Sequence, residues 1–495
     1  MKKINASGAS WNSIFLACSK ILTLLFGIIS AKLLSVGLSL EEYGTYSQAN
    51  LVATVGATVI MLGLVDALNF FFNKKTDESE YTEEEKAKTV NTVFFMEMAI
   101  GLVLAALIIF GRSLIGWYFH NPAVEVLLFA VAFMPMMTNI IYFYHVVYVA
   151  TGKAKLLSIL SLIMMLVRIV TVYFAVYVAS NVIWIYVMVL AMDVLQVVIF
   201  VVQLARRGIV INPFNILPSK IWPIIKYAFP MGIFALTSSL TRDLDKMIVG
   251  YLADTEQLAI YTNCSKVLPL DVVVTSFAMV LIPYIYKRVM EGRRDESIDL
   301  FSSYMKVGYY SVWILGMMVL IAPESIISFL YADAYVEGKV IFILYIIDTM
   351  LRFASVHLIL TAADKAKYIV LYSFISLGIN AVLNVLFYYL WGLVGPAIAT
   401  LVAAAVYTFL ILRKTIKVID AKWSDIFDIK DVLIFAVSVM IVWGAAVGIN
   451  ALLNYVGVHH YISMMISMAF FGLTQLFVNK KRIFGIVKKI NAFKL

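Results

Sequence analysis

Apolar residues along this chain fall in long unbroken runs, without the two-residue alternation of a half-buried strand. Runs of about 20 mostly apolar residues predict membrane-crossing helices. They occur at 11–34, 46–72, 90–111, 123–149, 156–178, 182–205, 221–252, 258–286, 304–331, 336–361, 367–390, 392–412, 430–452 and 458–478. The polar stretches between them are short, and the longest outer one runs only from about Arg112 to Pro122. The pattern therefore predicts an all-α polytopic membrane protein of about 14 transmembrane helices.

Composition agrees. Of 495 residues, 63% are hydrophobic and 14% charged, and the mean hydropathy is +0.94, where a soluble domain carries about 25% charged residues. No large soluble catalytic domain fits. The net charge of +9 matches cytoplasmic loops better than nucleic-acid binding, so no nucleic-acid partner is expected. With the N-terminus inside, and cations near span ends counted with the adjoining loop, 30 of the 39 Lys and Arg fall in inner segments, 3 in outer loops (Arg112, Lys266, Lys339) and 6 deeper in spans. The positive-inside rule then places both termini in the cytoplasm. The start of the chain, with Lys2, Lys3 and an apolar stretch interrupted by Lys20, reads as a retained first helix rather than a cleaved signal. The two cysteines, Cys18 on the inner side and Cys264 on the outer, form neither a disulfide nor a metal motif.

An internal repeat organises the spans. At a shift of 212, His145 to Lys155 aligns with His357 to Lys367, matching at five of eleven positions. A shift of 215 lays Tyr46 on Tyr261, and one of 214 lays Lys32 on Lys246. Six spans separate these features, which predicts two parallel six-helix lobes, an arrangement found in transporters that bind cargo between lobes. The expected boundaries are 1–210 for the first lobe, 211–420 for the second, and 421–495 for an appended helix pair with a basic tail. Pro213 and Pro218 mark the linker between lobes.

The chain has no Walker A sequence, His-Glu-x-x-His, Cys-x-x-Cys or Gly-x-Ser-x-Gly elbow. No enzyme activity, metal or cofactor is expected, and energy from ATP bound to this chain is excluded. Charges inside spans are the informative residues, because each costs about 2.5–3.5 kcal/mol at a helix centre and marks a functional site by default. The cations are Lys20, Lys32, Arg168, Arg242, Lys246 and Arg352. Arg352 has Asp348 one turn before it, Arg242 has Asp245 three residues on, and Lys246 has Asp243 three residues back, so intrahelical neutralisation competes with function there. Lys20, Lys32 and Arg168 have no acid three or four residues away on their own helix. Lys32 lies near the outer interface, where snorkelling competes with a site role. Together the six cations suggest a positively charged lumen suited to a phosphate or pyrophosphate. Glu97, Asp193 and Asp348 are the candidate carboxylates for coupling to H+ or Na+.

Two segments carry a family resemblance. Leu40-Glu41-Glu42-Tyr43-Gly44-Thr45-Tyr46 resembles the Glu-x-Tyr-Gly-x-Tyr turn of bacterial polysaccharide transporters, within the multidrug/oligosaccharidyl-lipid/polysaccharide (MOP) exporter superfamily. Ser238 to Leu252, followed by Leu258-Ala259-Ile260-Tyr261, Phe277 and Pro283, is similar to the same family, with Ala259 where many members have Gly. The resemblance implies a flippase in the bacterial cytoplasmic membrane. Its implied cargo is an undecaprenyl-pyrophosphate-linked oligosaccharide, moved by alternating access for capsule, O-antigen or related polysaccharide. Implied partners are membrane lipids and the polymerase and glycosyltransferases of the pathway. A multidrug or cation antiporter of the superfamily is the alternative, and a membrane-embedded polymerase fits the short outer loops poorly.

Overall fold

The computed structural model describes residues 26–61, 63–65, 83–150, 153–179, 181–206, 212 and 215–492. Among these the chain is helical, with no strand. It forms two compact units, residues 1–259 and 260–495.

In the first unit the helices are α1 (Phe26–Gly37), α2 (Leu40–Met61), α3 (Glu83–Phe110), α4 (Arg112–Tyr118), α5 (Ala123–Val131), α6 (Met134–Ala150), α7 (Ala154–Tyr177), α8 (Val182–Ala205) and α9 (Pro218–Leu252). α10 (Thr255–Cys264) runs from the first unit into the second. The second unit continues with α11 (Val272–Met290), α12 (Arg294–Val319), α13 (Pro323–Leu330), α14 (Lys339–Leu351), α15 (Leu358–Ala362), α16 (Ala366–Trp391), α17 (Gly395–Val418), α18 (Trp423–Ile426), α19 (Ile429–Tyr455) and α20 (His460–Ala492). Each of the fourteen expected spans has a helical counterpart among the described residues. Several are broken where continuous helices were expected. Residues 258–286 divide between α10 and α11, and 304–331 bends by 84° between α12 and α13. Pro323 opens α13, where its missing N–H leaves no hydrogen bond unmade.

Segments that align in the sequence share local geometry at a few positions. Ser39 and Glu42 form a reciprocal cap on α2: the Ser39 N–H donates to Glu42 Oε2 at 2.9 Å and the Glu42 N–H to Ser39 Oγ at 3.2 Å. At a shift of 215, Asp254 caps α10 by accepting from the Gln257 N–H at 2.7 Å. At a shift of 212, Lys153 and Lys365 precede α7 and α16 with the same backbone angles, φ −109° and ψ 29° against φ −110° and ψ 26°. Their N–H groups reach back five residues to the carbonyls of Tyr148 and Leu360. Asp364, just before Lys365, has φ +54°, a conformation that favours glycine, and the first copy has Gly152 at the matching position.

The Tyr-Gly segment turns out to be a packing device. Tyr43 is buried and Tyr46 stacks on Tyr186, with ring centroids 5.3 Å apart. The Tyr186 hydroxyl donates to the Tyr46 carbonyl at 2.6 Å. A β-carbon on Gly44 would overlap the Thr255 carbonyl oxygen, so glycine is what lets α2 reach the start of α10.

In the second unit α16 and α17 pack along each other through a polar ladder. Ser376 donates to the Ala403 carbonyl at 3.0 Å, Asn380 to Thr400 Oγ1 at 3.3 Å, and Asn384 to Asn380 Oδ1 at 3.1 Å. Such bonds hold helices together where lipid removes the hydrophobic drive. The last two helices, α19 and α20, pack against α12 and are joined to each other by a second polar stripe. Gln475 donates to the Ser438 carbonyl, Asn479 to Gln475 Oε1, and Arg482 to Asn479 Oδ1.

Candidate functional site

Lys20 lies outside the described residues, as does Cys18. Lys32 sits half-buried on α1, the Ser35 hydroxyl bonding its carbonyl. The other four cations each have a carboxylate within 4.0 Å.

On α9 the pairing differs from the helical-spacing expectation. Lys246, its side chain only 11% exposed, lies 3.4 Å from Asp243 and 3.5 Å from Asp245, and also donates to the Arg242 carbonyl at 2.9 Å. Arg242 lies beside Asp243 at 3.6 Å rather than against Asp245. The reason is burial: a desolvated ammonium must satisfy itself with every acceptor in reach, whereas the Arg242 side chain, 65% exposed, is not so constrained. Its remaining bond is a long one, 3.5 Å, to Ser239 Oγ, which also accepts from Thr58 on α2 at 3.0 Å.

Arg168 finds the partner its own helix lacks. It lies 4.0 Å from Asp193 on the neighbouring α8, with the arginine side chain 48% exposed and the aspartate 4%. Arg352 pairs with Asp348 at 3.1 Å as its spacing suggested; the arginine side chain is 44% exposed and the aspartate 7%. Two of the three candidate coupling carboxylates are therefore partners of arginines. The third, Glu97, is fully buried on α3 and neither oxygen has a hydrogen-bond partner in the protein.

The three arginine side chains thus stay substantially exposed while their acids are buried. A planar guanidinium offers several donors in a fork, so it can hold one carboxylate and still meet an anionic oxygen. Lys246 has far less to offer a ligand. Among the described residues no group of His, Cys, Asp or Glu is placed to hold a metal ion.

Sequence reasoning missed three polar sets. Asn139 on α6 is buried, and its amide donates to the carbonyls of Ala57 and Pro135 at 2.8 and 2.9 Å. The Asn380, Asn384 and Thr400 ladder carries no charge, and its signal in the sequence is a pair of asparagines four residues apart in an apolar run. The third is Asp431 at the start of α19. It accepts from the hydroxyls of Tyr309 and Tyr310 at 3.1 Å and pairs with Arg482 at 3.3 Å and Lys306 at 3.8 Å.

The topology has a direct test, and Cys264 cannot serve it. That thiol is fully buried and donates to the Tyr335 carbonyl at 3.3 Å, so a reagent in water does not reach it. A cysteine at the exposed Glu256 is expected to react with a membrane-impermeant maleimide on intact cells. One at Lys153 reacts only after permeabilisation. Labelling of position 153 on intact cells would overturn the orientation.

Residues 10–289 match a family described as "Polysaccharide biosynthesis protein". No curated protein matches the chain. Among solved structures, the chain is similar to a lipid II flippase, MurJ, in an inward closed conformation, with a TM-score of 0.69 at 15% identity over 96% of this chain and 99% of that one. It is similar to an inward-facing multidrug resistance MATE family transporter of the MOP superfamily, with a TM-score of 0.66 at 10% identity over 80% and 94%. It also resembles a MOP superfamily transporter from Pyrococcus furiosus described as having a binding pocket of reverse polarity, with a TM-score of 0.60 at 11% identity over 82% and 94%. At these identities the three show a shared fold. The chain belongs to the polysaccharide biosynthesis protein family, and its fold is the one found in MOP superfamily flippases and transporters.

Proposed function

We propose that the chain is a flippase that carries an undecaprenyl-pyrophosphate-linked oligosaccharide from the inner to the outer leaflet of a bacterial cytoplasmic membrane. It would work by alternating access between two parallel six-helix lobes, both termini facing the cytoplasm, and it would supply a surface polysaccharide such as capsule or O-antigen. The observation that carries this is the exposure of the Arg168, Arg242 and Arg352 side chains on apolar segments, each beside a mostly buried acid. A lipid-linked pyrophosphate keeps its tail in the bilayer, and its head group loses hydration that only fixed cations can offset. Lys20, Lys32 and Lys246 supply point charges, and H+ or Na+ supplies the driving force. Pathway polymerase and glycosyltransferases would be its partners.

The buried carboxylates Asp243 and Asp245 favour a second reading, a drug or cation antiporter of the same fold. Reconstitution separates the two. Proteoliposomes are expected to expose a lipid-linked oligosaccharide at the outer leaflet, scored by a lectin or a sugar-modifying enzyme. Protein that moves organic cations and leaves lipid-linked sugar in place would overturn the flippase in favour of the antiporter.

A further inference from the structure

Glu97 lies near the middle of the apolar span Ala87–Phe110, with none of its surface exposed and neither oxygen bonded. Its position follows from two flanking contacts. One turn toward the 110 end, a side chain at Gly101 would overlap Met136 of α6. About one turn the other way, Phe94 packs on Phe143 and Tyr144, with ring centroids 5.9 and 6.1 Å apart. Residues 94, 97 and 101 share one face of α3, and 136, 139 and 143 share one face of the antiparallel α6. Glu97 and Asn139 therefore face each other. Both donors of the Asn139 amide are spent on the Ala57 and Pro135 carbonyls, which fixes the amide and leaves its buried Oδ1 without a donor.

Three acceptor oxygens without a donor thus lie at one level of two packed helices. That arrangement calls for a cation. We propose that Glu97 and Asn139 form a proton-binding site in the first unit: Glu97 takes a proton from water, and its new O–H donates to Asn139 Oδ1. Releasing the proton to water regenerates the carboxylate and breaks that bond. A bare carboxylate in this apolar span would be costly, so release requires a conformation in which water reaches Glu97. This is the property needed of a coupling residue. Asp193 and Asp348 lack it, because their arginines compensate the ionised form. The coupling role rests on the transporter reading, while the site itself does not.

Ionisable groups on the surrounding helices leave Glu97 uncompensated. On α6 they are Tyr142, Tyr144, His145 and Tyr148, toward the 150 end, and the Tyr144 hydroxyl and His145 Nε2 are themselves buried without partners. On α2 they are Glu41, Glu42, Tyr43 and Tyr46, all in the first two turns. On α9 the nearest in level are an exposed Lys226 and Tyr227, since Leu217 bonds Thr92 near the start of α3; the Arg242 to Lys246 cluster lies toward its other end. Arg112 and Tyr118 on α4 and Glu125 on α5 lie beyond the 110 end of α3, where Glu125 accepts from Ser113.

Infrared difference spectra of the purified full-length protein in nanodiscs, taken between acidic and alkaline buffer, test the site directly. A protonated-carboxyl carbonyl band is expected in the parent and in Asp193→Asn and Asp348→Asn, and is lost in Glu97→Gln, a neutral isostere suited to the buried position. Superimposable spectra from Glu97→Gln and the parent would overturn the site. So would a parent band that responds to Na+ at constant pH, which would make the cation sodium. Neither infrared result depends on cargo, so failure to move a lipid-linked sugar would defeat the flippase and leave the proton site standing. In proteoliposomes an imposed pH gradient is expected to accelerate the parent and not Glu97→Gln. Equal acceleration of both would remove Glu97 from coupling.

Discussion

Arg242→Ala is expected to cut polysaccharide export by roughly 10- to 100-fold, the worth of one charge-assisted hydrogen-bonding group at about 1.5–3 kcal/mol, with a normal protein level in the membrane. The level holds because Asp243 keeps Lys246 at 3.4 Å once Arg242 is gone. Arg242→Lys restores a charge without the fork and recovers part of the activity. Arg168→Ala behaves differently. Asp193, 4% exposed in its side chain, loses the cation 4.0 Å away, which destabilises the fold by on the order of 2–3 kcal/mol, and both level and export fall. Adding Asp193→Asn removes the stranded charge and restores the level but not export. Export assayed by surface polysaccharide, alongside membrane immunoblots, checks the set. Normal export from stably expressed Arg242→Ala and Arg168→Ala/Asp193→Asn would end the cationic-site proposal at those positions.

That split depends on partners the sequence does not reveal. Apolar run length is a local property, so the helices could be read directly. The positions of their breaks could not, because a 258–286 run holding Leu268-Pro269 looks like one span until the 264 end of α10 packs against Gly338. Charge pairing within one helix was legible where spacing alone fixes it, as for Arg352 and Asp348. Pairing between helices depends on how each rotates about its axis, which an apolar run leaves unspecified. Arg168 and Asp193 are 25 residues apart and meet only because α7 and α8 pack antiparallel. Burial also reorders pairs that spacing proposes, as when Lys246 takes both aspartates and leaves Arg242 exposed.

Asp431 is the clearest case of a group whose weight comes from the fold alone. In sequence it is one acid at a helix start beside Lys430, easily taken for a dipole-compensating cap. In the structure it ties α19 to α12 through Tyr309, Tyr310 and Lys306, and to α20 through Arg482. Asp431→Ala removes the acceptor of two tyrosine hydroxyls and the counter-charge of two cations. The expected loss of stability is about 2–4 kcal/mol, seen as earlier thermal unfolding of the purified protein. Asp431→Asn keeps one carbonyl acceptor but no charge, and is expected to fall between the two. Because Gln475, Asn479 and Ser438 bond α20 to α19 independently of Asp431, the pair should stay together while loosening from α12. A disulfide engineered between α12 and α19 would then form more slowly in Asp431→Ala than in the parent, whereas one between α19 and α20 would form equally fast in both. Unchanged melting and unchanged crosslinking at α12 would mean that apolar contacts, with Phe435 buried against Tyr309, Tyr310 and Trp313, hold the pair in place without the charge.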